Sequence, residues 1–174
     1  MEKQKKIKLA AIAAAAIILI GVVIIALTTS TGRSAEETLS KYFRGKYEDA
    51  GGGVTAVSEC MAPSVQADYY NELTAAGTNF VIMTAWRNEA TSLVGQDVTT
   101  SVEVLSVEPG SAAALGNIRN QHPEAEAYQT VYFRMTLSGK EATHVFEGST
   151  PMLRAGGDWY MLGTGTTLEA IDAE

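Results

Sequence analysis

Residues Leu9–Leu27, LAAIAAAAIILIGVVIIAL, limit what this chain can fold into more than any other stretch. All nineteen are Ala, Ile, Leu, Val or a single Gly, so none carries a charge or a polar side chain. At about 1.5 Å per residue the run is roughly 28 Å long as a helix, close to the roughly 30 Å hydrocarbon core of a bilayer. In lipid, an isolated segment satisfies its own backbone hydrogen bonds only as a helix. The run therefore predicts a transmembrane helix over 9–27. Lys3, Lys5, Lys6 and Lys8 precede it with only Glu2 against them, and Arg33 is the first charge after it. The positive-inside rule then puts residues 1–8 in the cytoplasm and the rest of the chain outside. The competing reading is a cleaved secretory signal. Signal h-regions usually hold about 7–15 apolar residues before a small-x-small site. This run is longer, Thr28–Gly32 makes a poor site, and no Cys stands directly after it for lipoprotein processing.

The expected location is thus a cell membrane, single-pass, with the C-terminal domain extracytoplasmic. Residues 28–33 form a short linker, and the five from Thr28 to Gly32 reach at most roughly 18 Å, which keeps the domain near the membrane surface. Ser34–Glu174 holds 141 residues, the size of one ordinary domain. The whole chain has 13 basic and 20 acidic residues; without the four flanking lysines and Glu2, 9 basic and 19 acidic remain, a net of about −10. Such a domain is a poor partner for nucleic acid, whose phosphates require basic neutralisation, and anionic headgroups repel it. Cys60 is the single cysteine, so no internal disulfide can form and the core alone must hold the domain. Cys60 itself is expected as a buried small hydrophobe in a helix.

Periodicity places the helices first. Ser34 and Glu37 form a capping box, and Leu39, Tyr42, Phe43 and Tyr47 follow on one side until Gly51-Gly52-Gly53. A short helix over Val54–Met61 ends before Pro63. A third covers Ser64–Ala76, with Val65, Tyr69, Leu73 and Ala76 on one face. Gly77 breaks it from a fourth, Asn79–Val94, whose stripe is Ile82, Met83, Trp86, Ala90 and Leu93. From Asp97 the period becomes two. Val98, Thr100, Val102 and Val104 alternate, then Leu105 and Val107 take the opposite parity, which predicts a bulge near Val104. Ser111–Gln121 reads as a short helix or a long loop. Tyr128–Leu137 is the clearest strand, with Val131, Phe133, Met135 and Leu137 facing one way. Ser138–Glu141 turns a hairpin. Ala142–Phe146 and Pro151–Arg154 continue as strand, interrupted around Gly148, and Trp159–Leu162 is the last strand. Residues 164–174 read as a polar tail that frays. Helices followed by an antiparallel meander make an α+β domain over 34–163, with helices packed on a curved sheet.

Four features then carry a family likeness. They are Ser-Ala-Glu-Glu-Thr-Leu-Ser-Lys-Tyr-Phe (34–43) directly after the apolar run, the Glu-Cys-Met-Ala-Pro-Ser (59–64) helix junction, the long hairpin at 128–147, and Gly157-Asp158-Trp159-Tyr160 opening the final strand. Together they resemble the extracytoplasmic nuclear transport factor 2-like domains of Gram-positive bacteria, which share the cone fold of ketosteroid isomerase. A cystatin-like fold, with a helix against a similar curved sheet, is the nearest rival. The resemblance implies a cone with a cavity between sheet and helices, used by members as an enzyme site, as a small-ligand pocket, or not at all.

His122 and His144 are the only histidines, no spacing with Cys60 suggests a metal site, and no nucleophile, phosphate or dinucleotide motif is present. No cofactor and no metal are expected. An isomerase would need a carboxylate base in an apolar pocket facing hydrogen-bond donors. Asp97 or Asp68 is the candidate base, and Tyr69, Tyr132 or His144 the donor, but no motif ties them together. The candidate cavity lining is Tyr69, Met83, Trp86, Tyr132, Arg134, His144 and Trp159, with Phe133 and Phe146 beside them. Core packing explains most of these equally well. If Arg134 and His144 both point inward, they bind an anionic ligand; if outward, they are ordinary surface. The expected role is therefore a single-pass, membrane-anchored binding module that is not an enzyme, with an envelope protein or cell-wall component as partner. The alternatives are a small-ligand receptor and an isomerase- or dehydratase-like enzyme using the cone.

Overall fold

The computed structural model describes residues 32–171, with only the backbone of Ala76. The predicted transmembrane helix over 9–27, its lysine flank and most of the linker lie outside these residues. Among the described residues, no helix is long and apolar enough to cross a membrane.

The helices begin where the sequence supplies partners for their free N–H groups. Helix α1 (Ala35–Tyr47) opens on the expected capping box. The Glu37 N–H donates to Ser34 Oγ at 3.2 Å, and the Ser34 N–H donates to Glu37 Oε2 at 2.7 Å. Glu36 and Glu37 in its first turn, and Arg44 and Lys46 in its last, complement the helix dipole. Helix α2 (Gly53–Ser58) is shorter than its expected span, because Met61 and Ala62 run beside the sheet edge, where the Ala62 N–H donates to Met161 O at 2.9 Å. Helix α3 (Pro63–Thr74) starts on Pro63, whose missing N–H costs nothing there. A 3-10 turn, Ala75–Gly77, separates it from helix α4 (Asn79–Val94).

Strands β1 (Thr99–Pro109), β2 (Ala127–Ser138) and β3 (Thr143–Ala155) pair antiparallel in that order. The β1 register slips between Val104 and Ser106, so Leu105 is the bulged residue. The extra residue returns Val107 to the face that holds Val102 and Val104; these three lie opposite Val131, Met135 and Phe133. That inner face packs on α1, with the Phe43 and Phe133 ring centroids 5.6 Å apart. Between β1 and β2, Ser111 caps a short helix, α5 (Ala112–Arg119). Leu115 and Ile118 of α5 cover Leu153 and Ala155 on the outer face, a second small core at one end of the sheet. The expected α+β class, with helices on a curved antiparallel sheet, is what the structure shows.

Two expectations need correction. Strand β3 is continuous through Gly148, which pairs with Phe133 of β2. The stretch expected as a frayed tail also contains a strand. Strands β4 (Asp158–Met161) and β5 (Thr167–Ile171) lie end to end along the second edge of β3. β4 covers Met152–Ala155, and β5 covers the β3 edge at Val145–Ser149, whose backbone groups β4 does not reach. The chain skirts Thr150 and Pro151 using Gly163 (φ 80°) and Gly165 (φ 78°), then resumes pairing at Thr167. The Thr150 and Thr166 hydroxyls meet at 2.8 Å across this detour.

The first described residues are also fixed to the sheet. The Arg33 N–H donates to Asp158 Oδ1 at 2.6 Å, and its carbonyl accepts from the Trp159 N–H at 3.0 Å. Its guanidinium lies 5.0 Å above the Tyr160 ring and donates to Glu59 O at 3.0 Å.

Two glycines make opposite predictions. A Cβ on Gly148 would meet the Thr167 carbonyl oxygen at 2.1 Å, so Gly148→Val should push β5 off the sheet. We expect a loss of about 3 kcal/mol in urea unfolding and new proteolytic cleavage after residue 162. A Cβ on Gly116, inside α5, meets nothing within 4 Å, so Gly116→Ala should stabilise by about 0.5–1 kcal/mol.

Candidate functional site

Where the last turn of α1, the second half of α4 and the inner sheet face converge, they leave a cleft of about 290 Å³. Its floor is buried and apolar: Tyr47, Met135 and Leu137. Phe146 of β3 and Leu168 of β5 form one wall, and Leu93 of α4 the other. Leu93 is left 41% exposed, because α4 buries only Ala90 and Val94. The capping box and the Phe43–Tyr47 stack at 6.3 Å place the end of α1, and the return of β5 supplies Leu168.

Two charged groups complete the lining, Lys46 and Glu89. Lys46 Nζ lies 4.8 Å over the Tyr47 ring, a cation–π contact that draws the ammonium against the floor. Among the described residues, neither Lys46 nor Glu89 has an ion-pair partner. The same residues hold no group of three His, Cys, Asp or Glu placed for a metal ion.

None of the seven residues expected to line a cavity borders this cleft. Tyr69, Trp86 and Trp159 pack against the main core. Met83 lies against Gly53, so close that a Cβ there would be 2.6 Å from its Cε. Tyr132 and Arg134 are on the opposite, outer face of the sheet. Tyr132 borders a shallow groove with Glu147, Ser149, Thr167 and Glu169, and its hydroxyl donates to Glu108 Oε2 at 3.2 Å. Arg134 is occupied by Glu147 at 2.7 Å and Glu103 at 3.4 Å. His144 is exposed and faces the same side as Phe146, its ring 6.5 Å away. Arg134 and His144 therefore face opposite sides of the sheet and cannot share an anion. Of the residues considered beside the seven, Phe146 does line the cleft, and Phe133 is core.

The carboxylates considered as bases lie at the surface. Asp97 sits in the turn before β1 with Oδ2 2.9 Å from Lys140 Nζ, and Asp68 is exposed on α3. A Ser–His–Glu grouping that spacing did not suggest joins α3 to the loop after α5. Ser64 Oγ and buried His122 Nδ1 are 2.7 Å apart, and Glu124 accepts from the Ser64 N–H at 3.0 Å. Glu124 Oε1 approaches the same ring nitrogen that Ser64 uses, at 3.9 Å, so this is a cap for α3 and not a nucleophile relay.

A second surface stands out by what it lacks. From Leu73 to Trp86 the chain carries no charged residue. Here the α3–α4 hairpin leaves Phe80 75% and Val81 65% exposed, and Tyr70 of α3 is 41% exposed. Helix α3 has no fully buried residue.

Cys60 is fully buried, and its thiol donates to Ala56 O at 3.2 Å and Thr38 O at 3.3 Å. Burial pushes its pKa up from 9.0 to about 11, and burial also raises the neighbouring Tyr42 phenol. The folded state thus prefers the neutral thiol. This contribution is fully present below pH 9, and it is lost as pH rises to about 11, where the folded thiol also ionises. Urea unfolding should show stability falling across that window by about 3 kcal/mol, and falling less in Cys60→Ala. Native Cys60 should resist thiol reagents at neutral pH until the chain unfolds.

No family model matches the chain, and neither a curated protein nor a solved structure matches it, so what the module does must be argued from its own geometry.

Proposed function

We propose that this chain is a single-pass membrane protein whose extracytoplasmic domain recognises a partner, either an envelope protein or a cell-wall component, and does not transform a substrate. The tether is the apolar run Leu9–Leu27, with the lysine flank in the cytoplasm. The cone of the nuclear transport factor 2-like domains is the fold this reading adopts. Its support is the order of helices before the meander, together with the four motifs that carry the resemblance.

The observation that carries the reading is the α3–α4 hairpin. An acidic domain that leaves Phe80 and Val81 uncovered in a fourteen-residue stretch without charge has a surface suited to apolar contact. Aromatic and aliphatic anchors of this kind dominate the energy of protein interfaces. The isomerase- or dehydratase-like alternative loses support from the exposure of Asp97 and Asp68, since a base of that kind needs desolvation. A small-ligand receptor is the second reading, and the apolar cleft beside Lys46 favours it.

A photo-reactive residue at position 81 of the full chain, in intact cells, should give discrete adducts that Phe80→Ser removes. The same probe at Glu141, in the exposed β2–β3 turn, should give none. Equal labelling at the two positions, or failure of external protease to reach residues 34–171, contradicts the proposal.

A further inference from the structure

We propose that the cleft between α1, α4 and the sheet binds a small amphiphilic monocarboxylate, with its apolar chain on Met135 and Leu137 and its head at Lys46. This rests on the receptor reading of the cleft and adds the chemistry of the ligand.

Nine basic residues are described; seven lie within hydrogen-bond distance of an oxygen, and Arg154 Nε is 3.9 Å from the Glu126 carboxylate. Lys41 pairs with Glu59, Arg44 with Glu48, Arg87 with Asp49, Arg134 with Glu103 and Glu147, Lys140 with Asp97, and Arg154 lies nearest Glu126. Arg33 donates to Glu59 O and Arg119 to Ala125 O. Lys46 is the exception among the described residues, on a domain with an excess of carboxylates. It is not turned away into solvent: its ammonium is held over Tyr47, at the edge of an apolar floor. A cation placed this way and left without an oxygen presents a point charge to an incoming anion.

Shape and field set the rest of the ligand. The cleft's 290 Å³ equals about ten water-sized volumes, enough for a chain of roughly eight to ten carbons. Tyr47, Met135, Leu137, Phe146 and Leu168 offer that chain no hydrogen-bonding group within the floor and inner wall beyond the Tyr47 hydroxyl. Glu89 lies in the same lining and the domain is strongly acidic, so one negative charge is favoured over two. A carboxylate meets this condition, whereas a phosphate monoester carries more charge than Lys46 balances.

The test uses the full chain in lipid nanodiscs with methyl-labelled methionine, reading the Met135 methyl by NMR. Ligand partition into empty discs gives the free concentration. Octanoate should shift the Met135 signal saturably, and hexanoate should bind about sixteenfold more weakly, about fourfold for each lost methylene. Lys46→Met should weaken octanoate about tenfold while leaving octanol unchanged. Octyl phosphate should bind more weakly than octanoate. Leu93→Trp, at a half-exposed position that tolerates bulk, should block all of them. Octanol binding as tightly as octanoate overturns the carboxylate proposal while the receptor reading stands. No saturable shift with any probe at millimolar concentration overturns both.

Discussion

Strand β3 is paired along both edges, and the rest of the described fold hangs on that fact. Twelve of its thirteen residues, Thr143 to Arg154, pair with β2 on one side. On the other side β4 and β5 divide the edge between them. A central strand paired on both edges has few unsatisfied backbone groups, and its side chains can be buried on either face. β3 uses both possibilities: Met152 is buried in the main core and Leu153 in the small outer core under α5. With no disulfide available, cross-strand pairing and these two cores supply the cohesion.

The same arrangement explains where the molecule is unfinished. α1 lies flat on the inner face and buries Ala35, Leu39, Phe43 and Tyr47. α3 and α4 between them bury only Ala90 and Val94. The space the helices do not fill is the cleft at Lys46, and the surface they do not cover is the hairpin around Phe80.

Local chemistry made much of this legible in the sequence. The Ser34–Glu37 box starts α1 where expected, Asn79–Val94 is helical over its whole expected span, and the parity slip after Val104 marks the bulge. Each of these depends on residues close together in the chain. β5 was not legible, because Thr167–Ile171 has one strong apolar alternation at most and follows two glycines; its partner is the free edge of β3. Gly148 reads as a break for the same reason, since its missing side chain makes room for the Thr167 carbonyl that sequence alone does not reveal. The cleft is not legible from the aromatic residues, since its decisive member is a lysine without an ion-pair partner among the described residues. Its only forewarning was the composition: with 9 basic residues among 19 acidic ones every cation should find an oxygen, and among the described residues Lys46 does not.

Amide hydrogen exchange on the purified full chain tests the central role of β3 most directly. The account predicts that hydrogen-bonded amides of Val145–Leu153 exchange slowest, that those of Thr167–Ile171 are also protected, and that Leu73–Ile82 exchange fastest among helical residues. Unprotected amides throughout Thr167–Ile171, or a hairpin tip protected as strongly as β3, would contradict it.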